Sequence, residues 1–445
     1  MTGSELRLTA GAILLSAALA GPACAADPAI SQFALPNGMQ VVVIPDHRAP
    51  VVTQMVWFKV GGMDDPPGLS GLAHFFEHMM FRGTKTNPGN QFALTIARNG
   101  GDDNAFTTED YTAFYEQIAR DRLKIAMALD ADRMAHLDLS AANVNTERDV
   151  VLEERRMRVD DDPQALAGEQ AEAALYLSHP YGRPVLGWPM EVRRIGREEA
   201  QDFYDHHYAP NNAILIVAGD VTADSVRADA MDTFGKVASR PLLPRVEYGQ
   251  PERLGETRLV INDPNAKVPL FSRRYRVTSY AEARPGQAEA LDVLAGLLGN
   301  DTGALYRKLV VEQKIATDAG ASYDGDSRDD GEFTVYAVPR PGVTLEQVER
   351  ATDQVIAVYA ATPVPAADLA GARTQLVASA IYRRDNQYSM ATTYGTALAI
   401  GLTIADVNQW PDRIKSVSAA DVKNAVQTRL VRKEAVTLYL APGGK

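Results

Sequence analysis

The sequence predicts an α+β fold in two similar domains, each a mostly antiparallel strand layer with separate helices packed on it. Three observations carry that expectation. The chain has 445 residues, more than one core ordinarily organises, so two domains of about 200 residues are the natural division. Residues 239–256, "SRPLLPRVEYGQPERLGE", combine proline, glycine and charge without sustained periodicity and read as a linker. The order of elements before this stretch restarts after it, which implies a duplicated architecture. The boundaries are set at 33–240 for the first domain, 241–256 for the linker and 257–445 for the second domain.

Within the first domain, residues 33–62, "FALPNGMQVVVIPDHRAPVVTQMVWFKVGG", read as a strand, a turn and a second strand, with Asn37-Gly38 as the turn signal. A helix carrying His74 follows, and "NQFALTIARNGG" is helical up to its glycines. "DDNAFTTEDYTAFYEQI" alternates like an exposed strand pair. Helices are expected over 120–137 and 141–159, then a Pro/Gly-rich loop at "HPYGRPVLGWP" and a buried strand at "NNAILIVAGDV". In the second domain, strands are expected at "TRLVIND", "FSRRYRVTSY" and "GEFTVYAVP", with helices at "QAEALDVLAGLLG" and "ALYRKLVVEQK".

Composition excludes some functions. A net charge of −12 argues against a nucleic-acid footprint and does not help binding to an anionic membrane surface. At the N-terminus, Arg7 precedes an apolar run from Leu8 to Ala20, and Ala23-Cys24-Ala25 forms an A-x-A cleavage site. Residues 1–25 therefore read as a signal peptide, and the mature chain is expected to start at Ala26, outside the cytoplasm in the periplasm or medium. No stretch reaches the length of a transmembrane anchor. Cys24 is the only cysteine; after cleavage no thiolate ligand remains, and any metal must be held by histidine and carboxylate.

The chemistry is concentrated in "GLAHFFEHMMFRGT", residues 71–84. At about 100° per residue, Leu72, Phe75, Phe76, Met79 and Met80 form an apolar stripe, while His74, Glu77 and His78 share the opposite side. That pattern fits a solvated polar face. It equally fits two imidazoles at i and i+4 holding one cation beside a carboxylate that takes a proton from water. A second helix bears on the choice. In "NVNTERDVVLEERRMRV", Glu147, Val150, Val151, Glu154 and Met157 fall on one face, so two acids are expected among buried valines and need partners there. A cation on the histidines is one such partner; an i,i+4 pair with Arg158 is the alternative for Glu154. Two imidazoles with one carboxylate and an open position suit zinc, whereas oxygen-preferring ions would not select histidine.

H-x-x-E-H on a helix, followed 76 residues after His78 by Glu154 (154 − 78), resembles the inverted zincins of the pitrilysin family, which includes insulin-degrading enzyme and the mitochondrial processing peptidase. "ERDVVLEE", "NAFTTEDYTAFY", "HPYGRPVLGW" and "YAPNNAILIVAGDV" match the family in order, so the resemblance spans residues 33 to 430. It implies one Zn²⁺ per chain on His74, His78 and Glu154, a general base at Glu77 and a supporting acid at Glu147. It also implies peptide binding along an edge strand at Asn104, Ala105, Phe106 and Thr107 by β-augmentation, with Phe106 as a side-chain contact. The fold it implies is one half of a clamshell, comparable with the zinc-bearing subunit of two-subunit members.

One departure stands out. Complete family members carry an Arg and, seven residues later, a Tyr in the half opposite the zinc. Aligned on Glu312-Gln313, those positions are Leu309 and Ala316, and neither donates a hydrogen bond to an oxyanion. The expectation is a secreted zinc metalloendopeptidase acting on peptides or unfolded segments as the catalytic subunit of a heterodimer, its partner a homologous chain supplying Arg and Tyr. A homodimer is the fallback, with Tyr306, Arg307 or Tyr323 as substitute donors, and Arg at 309 with Tyr at 316 is expected to restore part of the activity. The rival is a non-catalytic assembly or scaffold subunit on the same fold. His47, His136, His179, His206 and His207 are assigned to no metal.

Overall fold

The computed structural model describes residues 30–443; the signal-peptide reading of residues 1–25 lies outside them. Two sheets organise the chain. The first contains β1 (Ser31–Ala34), β2 (Gln40–Pro45), β3 (Val51–Phe58), β4 (Asp102–Thr107), β5 (Thr112–Ala119) and β6 (Ala213–Gly219), in the order β1-β2-β6-β3-β5-β4. The second contains β7 (Thr257–Asp263), β8 (Leu270–Val277), β9 (Ala316–Asp324), β10 (Gly331–Pro339) and β11 (Ala435–Pro442), in the order β7-β11-β8-β10-β9. Only β2 with β6 and β7 with β11 run parallel; every other pairing is antiparallel. Residues 238–256 form no helix or strand.

Fourteen α-helices surround these sheets in the described residues. In the first half they are α1 (Leu72–Met79), α2 (Gln91–Arg98), α3 (Leu123–His136), α4 (Ala141–Arg155), α5 (Pro163–Leu175), α6 (Pro189–Val192), α7 (Arg197–His207) and α8 (Ala223–Asp232). In the second half they are α9 (Gln287–Leu298), α10 (Leu345–Ala361), α11 (Ala366–Arg383), α12 (Gln387–Ala399), α13 (Ile404–Ser416) and α14 (Ala419–Arg429). No single described helix is long and apolar enough to cross a membrane.

Both sheets are covered on two faces, and the halves exchange one helix each. One face of the first sheet packs on the main core with α1, α3, α7 and α8, through Val56, Phe75, Phe76 and Phe203. Its other face, with Val42, Met55, Trp57, Ile214 and Ile216, is covered by Met390, Ala391, Tyr394 and Leu398 of α12, from the second half. Gly395 lies against the Trp57 ring, where a Cβ would come within 2.0 Å of ring carbon; a side chain there would push α12 off the sheet. In return, Ala167, Ala171 and Leu175 of α5 cover Val436, Leu438 and Leu440 of β11 in the second sheet. Two-faced cover explains why "AILIVAG" in β6 is apolar at every position instead of alternating. A polar clasp completes the junction: Tyr181 donates to Asp110 at 2.7 Å, the Arg328 amide donates to the same carboxylate oxygen at 2.9 Å, and His179 Nε2 lies 2.8 Å from Asp329.

The structure corrects several element expectations. Residues 31–58 form three strands, not two. β5 is not exposed, because β3 and β4 flank it and Thr112, Ala113 and Phe114 are buried. β9, "ATDAGASYD", carried no strand signal; small and polar residues are held extended by pairing with β10. "ALYRKLVVEQK" becomes a π-helical segment at Tyr306–Glu312.

Candidate metal centre

α1 is set in place from its first turn. The Asp65 carboxylate accepts from the amides of Gly71 (2.7 Å), Leu72 (3.3 Å) and Ala73 (2.8 Å), satisfying donors that a helix start leaves without partners. Gly71 holds φ +90°, and a Cβ there would lie 2.9 Å from Gly187 Cα, so only glycine lets the chain enter the helix against the 187 loop. The apolar stripe is buried as predicted, with Phe75, Phe76 and Met79 inaccessible. That fixes the rotation of α1 and directs His74, Glu77 and His78 toward α4 and β4.

The two imidazoles meet Glu154 of α4. His74 Nε2 lies 3.5 Å and His78 Nε2 3.0 Å from the same Glu154 oxygen, Oε2. One ligand atom from each of the three residues falls within 4.8 Å of the others, the only such cluster among the described residues. The alternatives for Glu154 turn out to be compatible, since its other oxygen, Oε1, accepts from Arg158 at 2.7 Å. Burial lowers His74 to about 4, reinforced by the adjacent His78.

Glu147 governs the orientation of His78. Its Oε1 lies 2.9 Å from His78 Nδ1, and Arg82 Nε donates to its Oε2. A carboxylate acceptor at Nδ1 places the proton there and leaves a lone pair at Nε2. That lone pair then faces the buried Glu154 Oε2, which has no hydrogen-bond donor. Two acceptors 3.0 Å apart with no proton between them repel, and a divalent cation held by His74, His78 and Glu154 removes the conflict. The donor set fits zinc.

Glu77 stands beside the cluster, half-buried, its pKa raised by burial while a hydrogen bond from Thr107 Oγ1 at 2.5 Å opposes the shift. That bond joins α1 to β4, which is the edge strand of its sheet. Ala105 and Thr107 face the α1 side, whereas Phe106 points the other way and packs edge-on against Trp57 at 5.4 Å. Phe106 is therefore partly buried against the α12 face. Asn104 turns its Oδ1 onto the amide of Ala105 at 2.8 Å.

The face drawn on the second helix needs a correction. Glu147 and Val151 are buried, but Val150 is 40 % and Met157 59 % exposed; α4 buries a narrower stripe, and its last turn opens into a π-helical segment at Arg156–Asp160. Leu309 and Ala316 are both fully buried in the second core. They lack donors, as expected, but they also have no surface from which a donor could reach a substrate, so the expected rescue by Arg and Tyr at these positions is withdrawn. Tyr323 spends its hydroxyl on the Thr278 carbonyl at 2.8 Å. The sequence reading missed Asp65, Arg82 and Thr107 as supports. Arg82 lies eight residues after His74 on the line of that helix, which is the one available signal; Asp65 and Thr107 act across loops and leave none.

Residues 40–188 match the family described as insulinase, peptidase family M16, and residues 194–376 match the M16 inactive domain. A protein of Mycobacterium tuberculosis named as an uncharacterised zinc protease is 30 % identical over 438 residues, covering 94 % of this chain and 95 % of the relative. The chain belongs to peptidase family M16. The M16 chain is also 25 % identical over 418 residues to a probable mitochondrial-processing peptidase beta subunit of Arabidopsis thaliana, covering 92 % and 77 %. Its fold is that of a protease from Helicobacter pylori, with TM-score 0.88, 24 % identity and coverage of 93 % and 100 %. The periplasmic protease PqqL of Escherichia coli gives TM-score 0.80 at 19 % identity, and there the M16 chain covers 93 % of itself but 48 % of PqqL, one two-domain half.

Proposed function

We propose that this M16 chain is a zinc metalloendopeptidase that hydrolyses peptides or unfolded segments, exported to the periplasm or medium, and the catalytic subunit of a heterodimer with a homologous chain. The observation that carries the catalytic reading is Glu154 Oε2, a buried carboxylate oxygen without a donor that faces both imidazoles.

His74, His78 and Glu154 would hold one zinc ion, which supplies Lewis acidity for the scissile carbonyl and the attacking water. Glu77 takes a proton from that water, because its carboxylate stands on the same face as the two histidines and burial has raised its basicity. The same carboxyl then returns the proton to the leaving amine. Thr107 keeps Glu77 oriented toward β4, so a substrate strand added to that edge passes the base in extended form, its main chain paired by β-augmentation. Glu147 fixes the His78 tautomer throughout.

Support for the heterodimer is the buried state of Leu309 and Ala316, which leaves the second half without the oxyanion donors of complete family members. Adding a homologous partner that supplies Arg and Tyr donors to this site should raise turnover at least tenfold. The test of the whole reading is cleavage of a quenched peptide by zinc-loaded, chelated and zinc-restored protein. Activity should vanish and return; activity unchanged after verified zinc removal refutes the metallopeptidase reading, and a chain that neither binds zinc nor cleaves the peptide favours the scaffold alternative.

A further inference from the structure

The two oxygens of Glu154 meet different surroundings. Oε2 is buried, has no donor, and lies 3.5 Å from His74 Nε2 and 3.0 Å from His78 Nε2. Oε1 accepts from Arg158 Nη1 at 2.7 Å, and no other donor is bonded to it among the described residues. The Arg158 side chain is 62 % exposed and that of Glu154 21 %, so this pair lies on the solvent side of the cluster.

Arg158 differs from the other arginines that follow Glu154. Arg155 is buried and bonds Glu169 at 2.8 Å and the Gly187 carbonyl at 2.7 Å. Arg156 bonds Glu153 at 2.7 Å and also Asp161. The hydrogen bond that Arg158 makes among the described residues goes to Glu154 alone. The backbone beneath it is held in place. The Asp161 amide donates to the Arg156 carbonyl at 2.9 Å, closing the wide turn at Arg156–Asp160, and Arg155 lies 3.4 Å from Asp160. Wide turns of this kind recur at functional sites.

A contact at Oε1 decides which oxygen a metal receives. The terminal torsion of a glutamate is broad and two-fold, so the side chain alone does not choose between its oxygens, and a carboxylate binds a cation through either one oxygen or both. A guanidinium is always charged and only donates; with Oε1 taken by Arg158, Oε2 is the oxygen left facing the imidazoles. We propose that Arg158 is a positioning residue that commits Glu154 to offer a single oxygen, Oε2, to a metal on His74 and His78, which preserves the open position a catalytic zinc site keeps for water. The inference rests on the metallopeptidase reading and adds a residue to it.

The test is the visible spectrum of the full chain loaded with cobalt(II), which absorbs more weakly with five ligands than with four. Arg158→Met removes the donors and keeps an unbranched side chain. This variant should still bind cobalt, melt at the native temperature and absorb at least twofold less than the native chain, because the freed Oε1 turns onto the metal. Arg158→Lys should restore at least half of the difference. With zinc, Arg158→Met should lower kcat for a quenched peptide at least threefold and leave KM within twofold. An unchanged cobalt spectrum in Arg158→Met, loss of cobalt from it, or no recovery in Arg158→Lys would each overturn the inference while the metal reading stands. A native chain that takes up no cobalt would instead refute the metal reading, and this inference with it.

Discussion

Glu147→Gln isolates the contribution of the group behind His78, one of the three proposed zinc ligands. In the native chain, Glu147 is 3 % exposed and accepts from His78 Nδ1 at 2.9 Å and from Arg82 Nε. Glutamine keeps the shape but has one acceptor atom where the carboxylate has two. Either its amide group meets Arg82, donor against donor, or it turns toward His78 and draws the imidazole into the other tautomer, with the proton on Nε2. The first arrangement removes a charge-assisted bond of about 1.5–3 kcal/mol; the second puts a proton on the ligand atom. Loss of such a supporting carboxylate typically costs 10–100-fold in metal affinity, or about 1.4–2.7 kcal/mol. Zinc affinity measured by competition with a chromophoric chelator near neutral pH should fall by that factor. The control is Glu153→Gln, an exposed residue of the same helix paired with Arg156 at 2.7 Å, which should change affinity by less than twofold. Equal affinity for the Glu147→Gln and native chains would refute the tautomer argument.

Glu77→Gln should retain zinc and lose about 10²- to 10⁴-fold in peptide cleavage, whereas Glu154→Gln should lose zinc; the opposite metal contents would mean that the two roles have been exchanged. Burial raises Glu109 to about 7 and Glu172 to about 8, above an unfolded value of about 4.3. Because the folded state holds these protons more tightly, the stability they confer is complete below about pH 4 and is lost as pH rises through 7 to 8. The melting temperature of the metal-free chain should fall by at least about 3 °C from pH 6 to pH 8, and Glu172→Gln should flatten that slope; a melting temperature rising over the same interval contradicts the assignment. Sequencing the exported protein should show Ala26 at its N-terminus, and an intact Met1 on exported material would reject the signal peptide.

The convergence of His74, His78, Glu147 and Glu154 was legible because these residues sit at helical spacings. His74 and His78 are four apart, Glu147 and Glu154 seven apart, and each pair is brought to one face by the helix alone. Rotation of α1 was legible too, since Phe75, Phe76 and Met79 leave one way to bury the helix. What covers each sheet was not. The small apolar residues of α5 and α12 mark them as buried helices, but nothing in either sequence specifies which of two sheets receives it, and the exchange between halves depends on long-range packing. Val150 and Met157 show the limit of periodicity: they lie on the predicted stripe, yet no element packs over that part of α4. β9 failed for another reason, as its small and polar residues are held extended by β10 rather than by their own preference.

The buried state of Leu309 and Ala316 also decides how an oxyanion donor can be supplied. Both residues are 0 % exposed, packed with Leu298, Leu305 and Phe333 in the second core. Leu309→Arg would either bury a guanidinium among these side chains or expel the Tyr306–Glu312 segment. Burying it without a partner costs several kcal/mol, a large fraction of the 5–15 kcal/mol by which a domain is ordinarily stable. The expected result is a drop in melting temperature of at least about 5 °C, with no gain in turnover from the isolated chain. A donor must then come from outside this core, which is what a second chain provides. Native chain mixed with a homologous partner should gain at least tenfold in turnover, and the gain should disappear when the partner's Arg is replaced. A stable Leu309→Arg chain with raised turnover of its own would show that position 309 can reach the substrate, and the argument for a partner would fail with it.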